Sequence, residues 1–319
     1  MNTPDIEGLL HLPVAVLCGG PGPEHEVSLA SGRAVCETLR QAGLSARLLT
    51  LAEGRLPAEL DAEAELVLPL IHGLYGEDGQ LAAELEAAGF VYGGSGAAAS
   101  ALCFDKWAAK AAAARLQIPV AADRVVDPGH APDYSELMRH LGTPFILKPR
   151  FEGSSVGLFR IDGPAAYAEA LEALRQRTYL AEAMVDGVDL TVGILGGRAL
   201  GVVGIRPEGG LYDYEHKYTP GRSRYDVPAR CAPRLQEQLL RWSEALFQVC
   251  GCRDVARIDF RLSREGAPVF LEINTLPGMT GTSLLPKTAE IAGMDFRSLV
   301  LQWLSLVAAR RSGQGRGVS

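Results

Sequence analysis

Residues 256–283, ARIDFRLSREGAPVFLEINTLPGMTGTS, constrain this chain more than any other stretch. Two runs rich in β-branched and aromatic residues, 256–262 and 268–273, flank the turn Ser-Arg-Glu-Gly, which predicts a β-hairpin. Alternate side chains of a strand share a face. Arg257 and Asp259 therefore point the same way, and so do Glu272 and Asn274. If the strands pair, two carboxylates, an amide oxygen and a guanidinium converge. Carboxylate and amide oxygens are hard ligands, suited to Mg²⁺ carrying a nucleotide's phosphates. An arginine beside them would hold charge on a transferring phosphoryl group. A surface hairpin with a solvated ion pair would use the same residues, and spacing alone leaves both readings open. The loop 275–280, Thr-Leu-Pro-Gly-Met-Thr, leaves the acidic strand directly, and loops coming off rigid strands are where binding groups concentrate.

A chain of 319 residues is long enough for two or three domains with sizeable cores. A net charge of −7 argues against a nucleic-acid footprint, leaving room only for a local basic patch. The six cysteines (18, 36, 103, 231, 250 and 252) form no CxxC, and Cys250-Gly-Cys252 is too close-set for ordinary metal ligation. They read as small buried residues in a reducing cytosol. The first residues lack a basic segment followed by an apolar one, so no signal peptide is expected. No apolar run is long enough to span a bilayer. The expectation is a soluble cytoplasmic protein with neither membrane nor nucleic acid as partner.

Residues 14–18 are an apolar run ending in Gly19-Gly20, the pattern of a buried parallel strand feeding a loop. A helix with apolar positions Val27, Ala30, Ala34, Val35 and Leu39 and a strand at 46–51 complete an α/β opening. The loop is neither GxGxxG nor a P-loop. From spacing, Glu24 and Glu26 are solvated helix-entry acids, favourable near a helix N-terminus. Residues 66–71 form another buried strand, and His72 begins a glycine-rich segment at its carboxyl end, where open α/β sheets bind ligands. Structural and functional roles for this His are both open. A helix over 80–88 ends at Gly89.

Gly94-Ser-Gly-Ala-Ala-Ala, between a strand at 90–93 and a long helix over 97–116, formally matches a dinucleotide fingerprint, with Asp123 or Asp127 near the expected acid. The short strand and the position inside the chain weigh against it; an NAD oxidoreductase stays as an alternative. Lys106 reads from spacing as a surface lysine. A strand at 119–126, a helix at 134–141 and a strand at 144–150 lead to Gly153-Ser154-Ser155, whose N–H groups and hydroxyls suit phosphate oxygens, with Lys148 adding a point charge. A helix at 165–176 and strands at 179–185, 190–195 and 200–206 follow. Residues 212–225 are a long loop with four Tyr, the composition of a lid that excludes water. An amphipathic helix covers 233–250, Asp295 caps a last helix, and 310–319 should be a frayed polar tail.

The ARIDF…LEINTLPGMT…S pattern, Glu-His-Glu-Val-Ser at 24–28, His-Gly…Gly-Glu-Asp-Gly at 72–79, Gly-Ser-Gly at 94–96 with Asp105-Lys106, Lys-Pro…Glu-Gly-Ser-Ser-Val-Gly at 148–157, and Lys217-Tyr218 occur in order within residues 14–307. Together they resemble the D-alanine–D-alanine ligases of the ATP-grasp superfamily, and a series of ordered matches is far more specific than any one. The resemblance implies three α/β domains: a Rossmann-like N-terminal substrate domain (1–95), a central ATP-grasp subdomain (96–185), and a C-terminal one with lid and metal site (186–319). It implies ATP-dependent joining of two D-alanines through an acyl phosphate, for peptidoglycan precursor synthesis, in a homodimer.

Residue roles follow from the same resemblance. Glu24 receives the ammonium of the first D-alanine, and His72, Ser283 and Leu284 bind the second. Lys106, Lys148, Ser155 and Lys217 hold phosphates. Glu182, Val185 and Leu271 contact the nucleotide base. Asp189 takes the ribose hydroxyls, one methylene short of the family's usual Glu. Asp259, Glu272 and Asn274 hold Mg²⁺ (two ions, with Mn²⁺ as a substitute). Arg257 and the Gly278 N–H stabilise the oxyanion, and Tyr218 bonds to Ser154 and Glu24 to close the site. The Lys-Tyr pair favours an amine nucleophile over D-lactate. A relative joining other amino acids and a non-catalytic binding protein are further alternatives; the intact set of metal, phosphate and lid residues argues against the latter.

Overall fold

The computed structural model describes residues 7–127, 129–153, 157–174, 177–207 and 223–314. Among these residues the strands form three sheets. The first contains Val14–Gly19 (β1), Ala46–Leu51 (β2), Leu66–Pro69 (β3) and Val91–Tyr92 (β4), in the order β2-β1-β3-β4. All its pairings are parallel, which requires crossovers, here His25–Gln41 (α1) between β1 and β2 and Gln80–Ala87 (α2) between β3 and β4. β1 is buried throughout, as its unbroken apolar run demands. Ser28 on α1 joins helix to sheet: its hydroxyl accepts from Gly19 N at 2.7 Å and donates to Leu70 O at 2.5 Å.

The second sheet holds Asp123–Val126 (β5), Phe145–Pro149 (β6), Phe159–Ile161 (β7) and Tyr179–Ala183 (β8), antiparallel in the order β5-β8-β6-β7. Tyr134–Leu141 (α5) contributes Leu137 and Pro164–Leu174 (α6) contributes Tyr167 to a core built on Phe145, Leu147 and Ile161. The third sheet is also antiparallel: Gly187–Leu195 (β9), Arg198–Pro207 (β10), Ser223–Asp226 (β11), Val255–Ser263 (β12) and Pro268–Asn274 (β13), in the order β11-β10-β9-β12-β13.

The helix expected over 97–116 is two helices, Ala97–Phe104 (α3) and Lys106–Arg115 (α4). Asp105 is extended between them, and its carboxylate accepts from Trp107 N and Ala108 N, the N-cap geometry Asp favours. It also takes the Arg150 guanidinium at 2.6–2.7 Å. Apolar periodicity continues through the break, so only the cap marks it. Ala109, Ala112 and Ala113 of α4 bury against the third sheet, in one core with Val192, Ile258 and Phe270. Pro233–Val249 (α7) adds Leu239 and Leu246 to that core. The expected strand at 119–126 shortens to β5, with Val120 making an isolated bridge to Phe270.

Leu284–Ile291 (α8) was not expected from periodicity; Phe296–Gln314 (α9) was, up to its end. Asp295 accepts from Ser298 N at 2.7 Å, as a cap should. The frayed tail expected over 310–319 does not begin at 310, and 315–319 lie outside the described residues. α9 continues to Gln314, and its arginines anchor it: Arg310 donates to Asp254 Oδ2 at 2.8 Å and to Tyr92 O at 2.6 Å, and Arg311 donates to Ala64 O at 2.8 Å. The polar residues that suggested fraying are the ones that pin the helix. Its apolar face, with Trp303, Leu304 and Val307, joins the core of the first sheet beside Leu66, Leu68 and Val91.

The fingerprint at Gly94 proves to be an internal joint. Gly94, at φ 96°, donates its N–H to Asp254 Oδ2 at 2.8 Å, and Arg253 Nε donates to its carbonyl at 3.1 Å. The backbone that a dinucleotide would need is bound by the protein itself. Asp254 is 3% exposed at its side chain and holds both Gly94 and Arg310. Replacing it leaves a partly buried guanidinium and an amide without their acceptor. Asp254→Ala should lower unfolding free energy by about 3 kcal/mol in urea denaturation; a loss under about 1 kcal/mol would contradict this role.

Candidate functional site

The hairpin pairs β12 with β13 so that Arg257 faces Asn274 and Asp259 faces Glu272. The register shifts by a bulge between Asp259 and Phe260, after the two polar pairs. The four groups predicted to converge do so. Asp259 Oδ1 accepts from Thr191 Oγ1 at 2.6 Å and from Arg257 Nε at 3.0 Å. Its Oδ2 accepts from Arg257 Nη2 at 2.8 Å and from Asn274 Nδ2 at 3.2 Å. Thr191, fully buried on β9 directly across from Asp259, was missed, because nothing near it in sequence announces its partner.

Two cavities meet along this hairpin. Asp259 and Glu272 line the first, Arg257 and Asn274 the second. Between them is a narrow gap bordered by Lys106, Glu152, Gly153, Glu272 and Asn274.

The first cavity also brings together Lys106, Lys148, Glu182, Val185, Asp189 and Leu271. Lys106 is buried, not a surface lysine, because α4 faces the cavity here; its ammonium donates to Glu152 O. Glu182 Oε1 meets Lys110 and Oε2 meets Lys148, each at 2.6 Å. Burial opposes the charge on Glu182 most strongly, yet the two ammoniums outweigh it and hold the carboxyl below its usual range. Lys110 also reaches Asp123 at 2.6 Å, and sequence gave no sign that this lysine is buried. Asp189 takes Arg261 Nη1 at 3.0 Å.

The second cavity gathers Glu24, His72, Gly278, Ser283 and Leu284 around Arg257. Glu24, just before α1, is not the solvated acid its spacing suggests: it is buried against two glycines. A Cβ on Gly73 would lie 2.4 Å from Glu24 Oε2, and one on Gly153 2.7 Å. The missing Cβ atoms leave room for the carboxylate at both positions, and Gly73, at a φ of 71°, also holds a backbone conformation that favours glycine. Ser283 precedes α8 and Leu284 begins it, so a ligand carboxylate at this place meets a helix N-terminus. Ser283 Oγ accepts from Thr280 N at 3.1 Å, holding the loop that carries Gly278.

His72 links the first sheet to that loop. Its Nδ1 lies 2.8 Å from Leu276 O, which only accepts, so Nδ1 carries the proton. Burial pushes its pKa down, so Nε2 is bare and accepts from Ser31 Oγ at 3.2 Å. Ser31 Oγ in turn accepts from Met279 N at 3.2 Å. Glu77 completes the joint, its oxygens accepting from Gly73 N at 2.9 Å and Leu276 N at 3.2 Å. Burial, and then the charge of Glu24, push its pKa up to about 7. Glu77 lies inside the glycine-rich motif, but no role was read for it; Ser31 had no signal at all. Ser154, Ser155, Lys217 and Tyr218 lie outside the described residues.

The donor set fits a hard cation. Among the described residues no three His, Cys, Asp or Glu side chains gather as a metal cluster. Two carboxylates and an amide, with a guanidinium already resting on Asp259, make a place for positive charge, and Mg²⁺ takes few protein carboxylates and completes its shell with phosphate oxygens and water.

A family model for the D-ala D-ala ligase C-terminus matches residues 115–305. A D-alanine–D-alanine ligase of Nitrosospira multiformis is 40% identical over 297 residues, covering 92% of this chain and 96% of that protein. One of Citrifermentans bemidjiense is 40% identical over 309 residues, covering 96% and 99%. The crystal structure of D-alanine–D-alanine ligase from Bacillus anthracis complexed with ATP superposes with a TM-score of 0.82 at 26% identity, covering 95% of this chain and 100% of that one.

Glu77 makes stability depend on pH. Its folded pKa is raised above the ordinary 4.5, so its contribution is full below that value and is lost as pH rises through about 7. The stability advantage of the wild type over Glu77→Gln should be greater at about pH 5 than at about pH 8, by roughly 2 kcal/mol. Urea denaturation at both pH values checks this; an equal or opposite difference contradicts it.

Proposed function

The chain belongs to the D-alanine–D-alanine ligase family, and on that premise we propose how its two cavities join two D-alanine molecules with conversion of ATP to ADP and phosphate. The observation that carries the reading is the hairpin register, which makes one wall of charged and amide groups serve both cavities. ATP occupies the first cavity, with its base beside Val185 and Leu271 and the edge of Glu182, its ribose toward Asp189, and its phosphates at Lys106 and Lys148. D-alanine occupies the second.

The first D-alanine places its ammonium on Glu24, and its carboxylate oxygen attacks the γ-phosphorus, giving an acyl phosphate and ADP. This step needs positioning and neutralisation more than covalent help. Asp259, Glu272 and Asn274 would hold Mg²⁺, two ions in this reading with Mn²⁺ as a substitute, to spread charge on the phosphate oxygens. The second D-alanine sets its carboxylate at Ser283 and the Leu284 N–H. Its amine attacks the acyl carbon, Arg257 and the Gly278 N–H take the oxyanion, and phosphate leaves. The helix N-terminus favours an anion at that end.

Ser154, Ser155, Lys217 and Tyr218 take phosphate-binding and lid roles in this reading on their motifs alone. The reading also divides the chain into domains at 1–95, 96–185 and 186–319, makes it a homodimer and places it in the cytoplasm. Among the described residues no single helix is long and apolar enough to cross a membrane.

The direct test supplies ATP, Mg²⁺ and D-alanine and follows phosphate release, with products identified by mass. D-alanyl-D-alanine from D-alanine alone is the expected result; release only with D-serine, D-lactate or L-alanine added would overturn the substrate assignment. Arg257→Met should lower kcat by about 100-fold, the scale of a lost oxyanion donor. Turnover within about threefold of wild type would remove Arg257 from the chemistry.

A further inference from the structure

Three residues of β12 face the site at alternate positions and so are spaced about 7 Å apart: Arg257, Asp259 and Arg261. Arg257 borders the second cavity, Asp259 faces the first beside the lysines, and Arg261 lies one step farther from the junction. At that step Arg261 and Asp189 are cross-strand partners on β12 and β9. Arg261 Nη1 lies 3.0 Å from Asp189 Oδ1, and the two side chains are 12% and 9% exposed. Arg261 Nη2 also donates to Gly187 O at 3.4 Å. Around the pair the cavity wall is apolar, with Val185, Leu190, Ile205 and Leu271.

An isolated carboxylate in such a wall would be costly to bury. The guanidinium offsets its charge and, anchored on Gly187, restricts where the short Asp side chain points. A carboxylate has about four lone-pair sites, and a guanidinium has none. Asp189 therefore suits a ligand with hydroxyl donors, the guanidinium's N–H groups suit oxygen acceptors, and a hydroxyl is both. In ATP those hydroxyls are on the ribose.

We propose that Arg261 is a positioning residue for nucleotide specificity: it holds Asp189 where it accepts from the ribose hydroxyls, so that the chain prefers ATP to its deoxy analogues. The proposal rests on ATP occupying this cavity, as argued above. It also accounts for how an Asp serves here without the reach of a Glu: the neighbouring strand supplies the guanidinium that orients it.

The test compares kcat/KM for ATP, 2′-deoxyATP and 3′-deoxyATP in the wild type, Arg261→Met, Arg261→Lys, Asp189→Ala and the Arg261→Met/Asp189→Ala double variant. The wild type should prefer ATP over at least one analogue by about tenfold, the scale of one hydrogen bond to a charged group. Arg261→Met should raise KM for ATP by about tenfold with kcat within about twofold, and reduce the preference to within about twofold. Arg261→Lys, which keeps charge but not the fork, should fall between, and it carries the comparison if Arg261→Met fails to fold. The double variant should show the same preference as Asp189→Ala, since Arg261 acts through that carboxylate. Wild-type preference retained in Arg261→Met and Arg261→Lys but lost in Asp189→Ala would overturn the role of Arg261 while leaving the ligase reading intact. Preference retained in all variants would overturn the pair. A wild type that neither binds nor turns over ATP would instead overturn the functional reading beneath it.

Discussion

Cross-strand pairing of Asp259 with Glu272 and Arg257 with Asn274 is the constraint on which the site depends. Two antiparallel strands joined by a short turn bring opposite residues within reach of one another, and a slip of β13 by one residue would send Glu272 and Asn274 to the face away from Arg257 and Asp259. The bulge comes only after Asp259, so the polar pairs stay in register while the strand beyond them re-aims. That register sets which of the four groups line each cavity and which border the gap between them.

Concentrating so much charge under partial burial is costly, and the structure offsets it locally. Asp259 is held by Arg257, Thr191 and Asn274; Glu182 by two lysines; Asp189 by Arg261. Neutral polar groups carry the joint between the first sheet and the loop after β13. A His72 kept uncharged by burial and a Ser31 that both donates and accepts set the position of residues 276–279. The glycines at 73 and 153 let the backbone close on Glu24 from two sides. The second cavity thus belongs to no one sheet, and its geometry depends on how the elements dock.

The hairpin was legible because period-two alternation and a four-residue turn determine its faces before any tertiary contact is known. The opening parallel strands were legible for the same local reason. Roles for Glu24, His72, Lys148 and Asp189 came from ordered motifs, and the structure brings all four to the cavity walls. What stayed hidden were groups whose partners lie far along the chain: Met279 and Ser31, bonded across 248 positions, and Thr191, Glu77, Lys110 and Arg261. Composition misled where a polar side chain turned inward, at Lys106 and at Arg310 and Arg311. The formal dinucleotide fingerprint failed because a motif specifies residue types, and here Asp254 already occupies the backbone amide that the fingerprint would offer to a ligand.

Diffraction from crystals grown with Mn²⁺ and a non-hydrolysable ATP analogue, using the anomalous signal of manganese, tests the hairpin's role most directly. A peak within about 2.5 Å of oxygens from Asp259, Glu272 and Asn274, with the analogue's phosphates between it and Lys148, is the expected result. A nucleotide bound in the cavity with no manganese on these three residues, or with manganese held elsewhere, would contradict it.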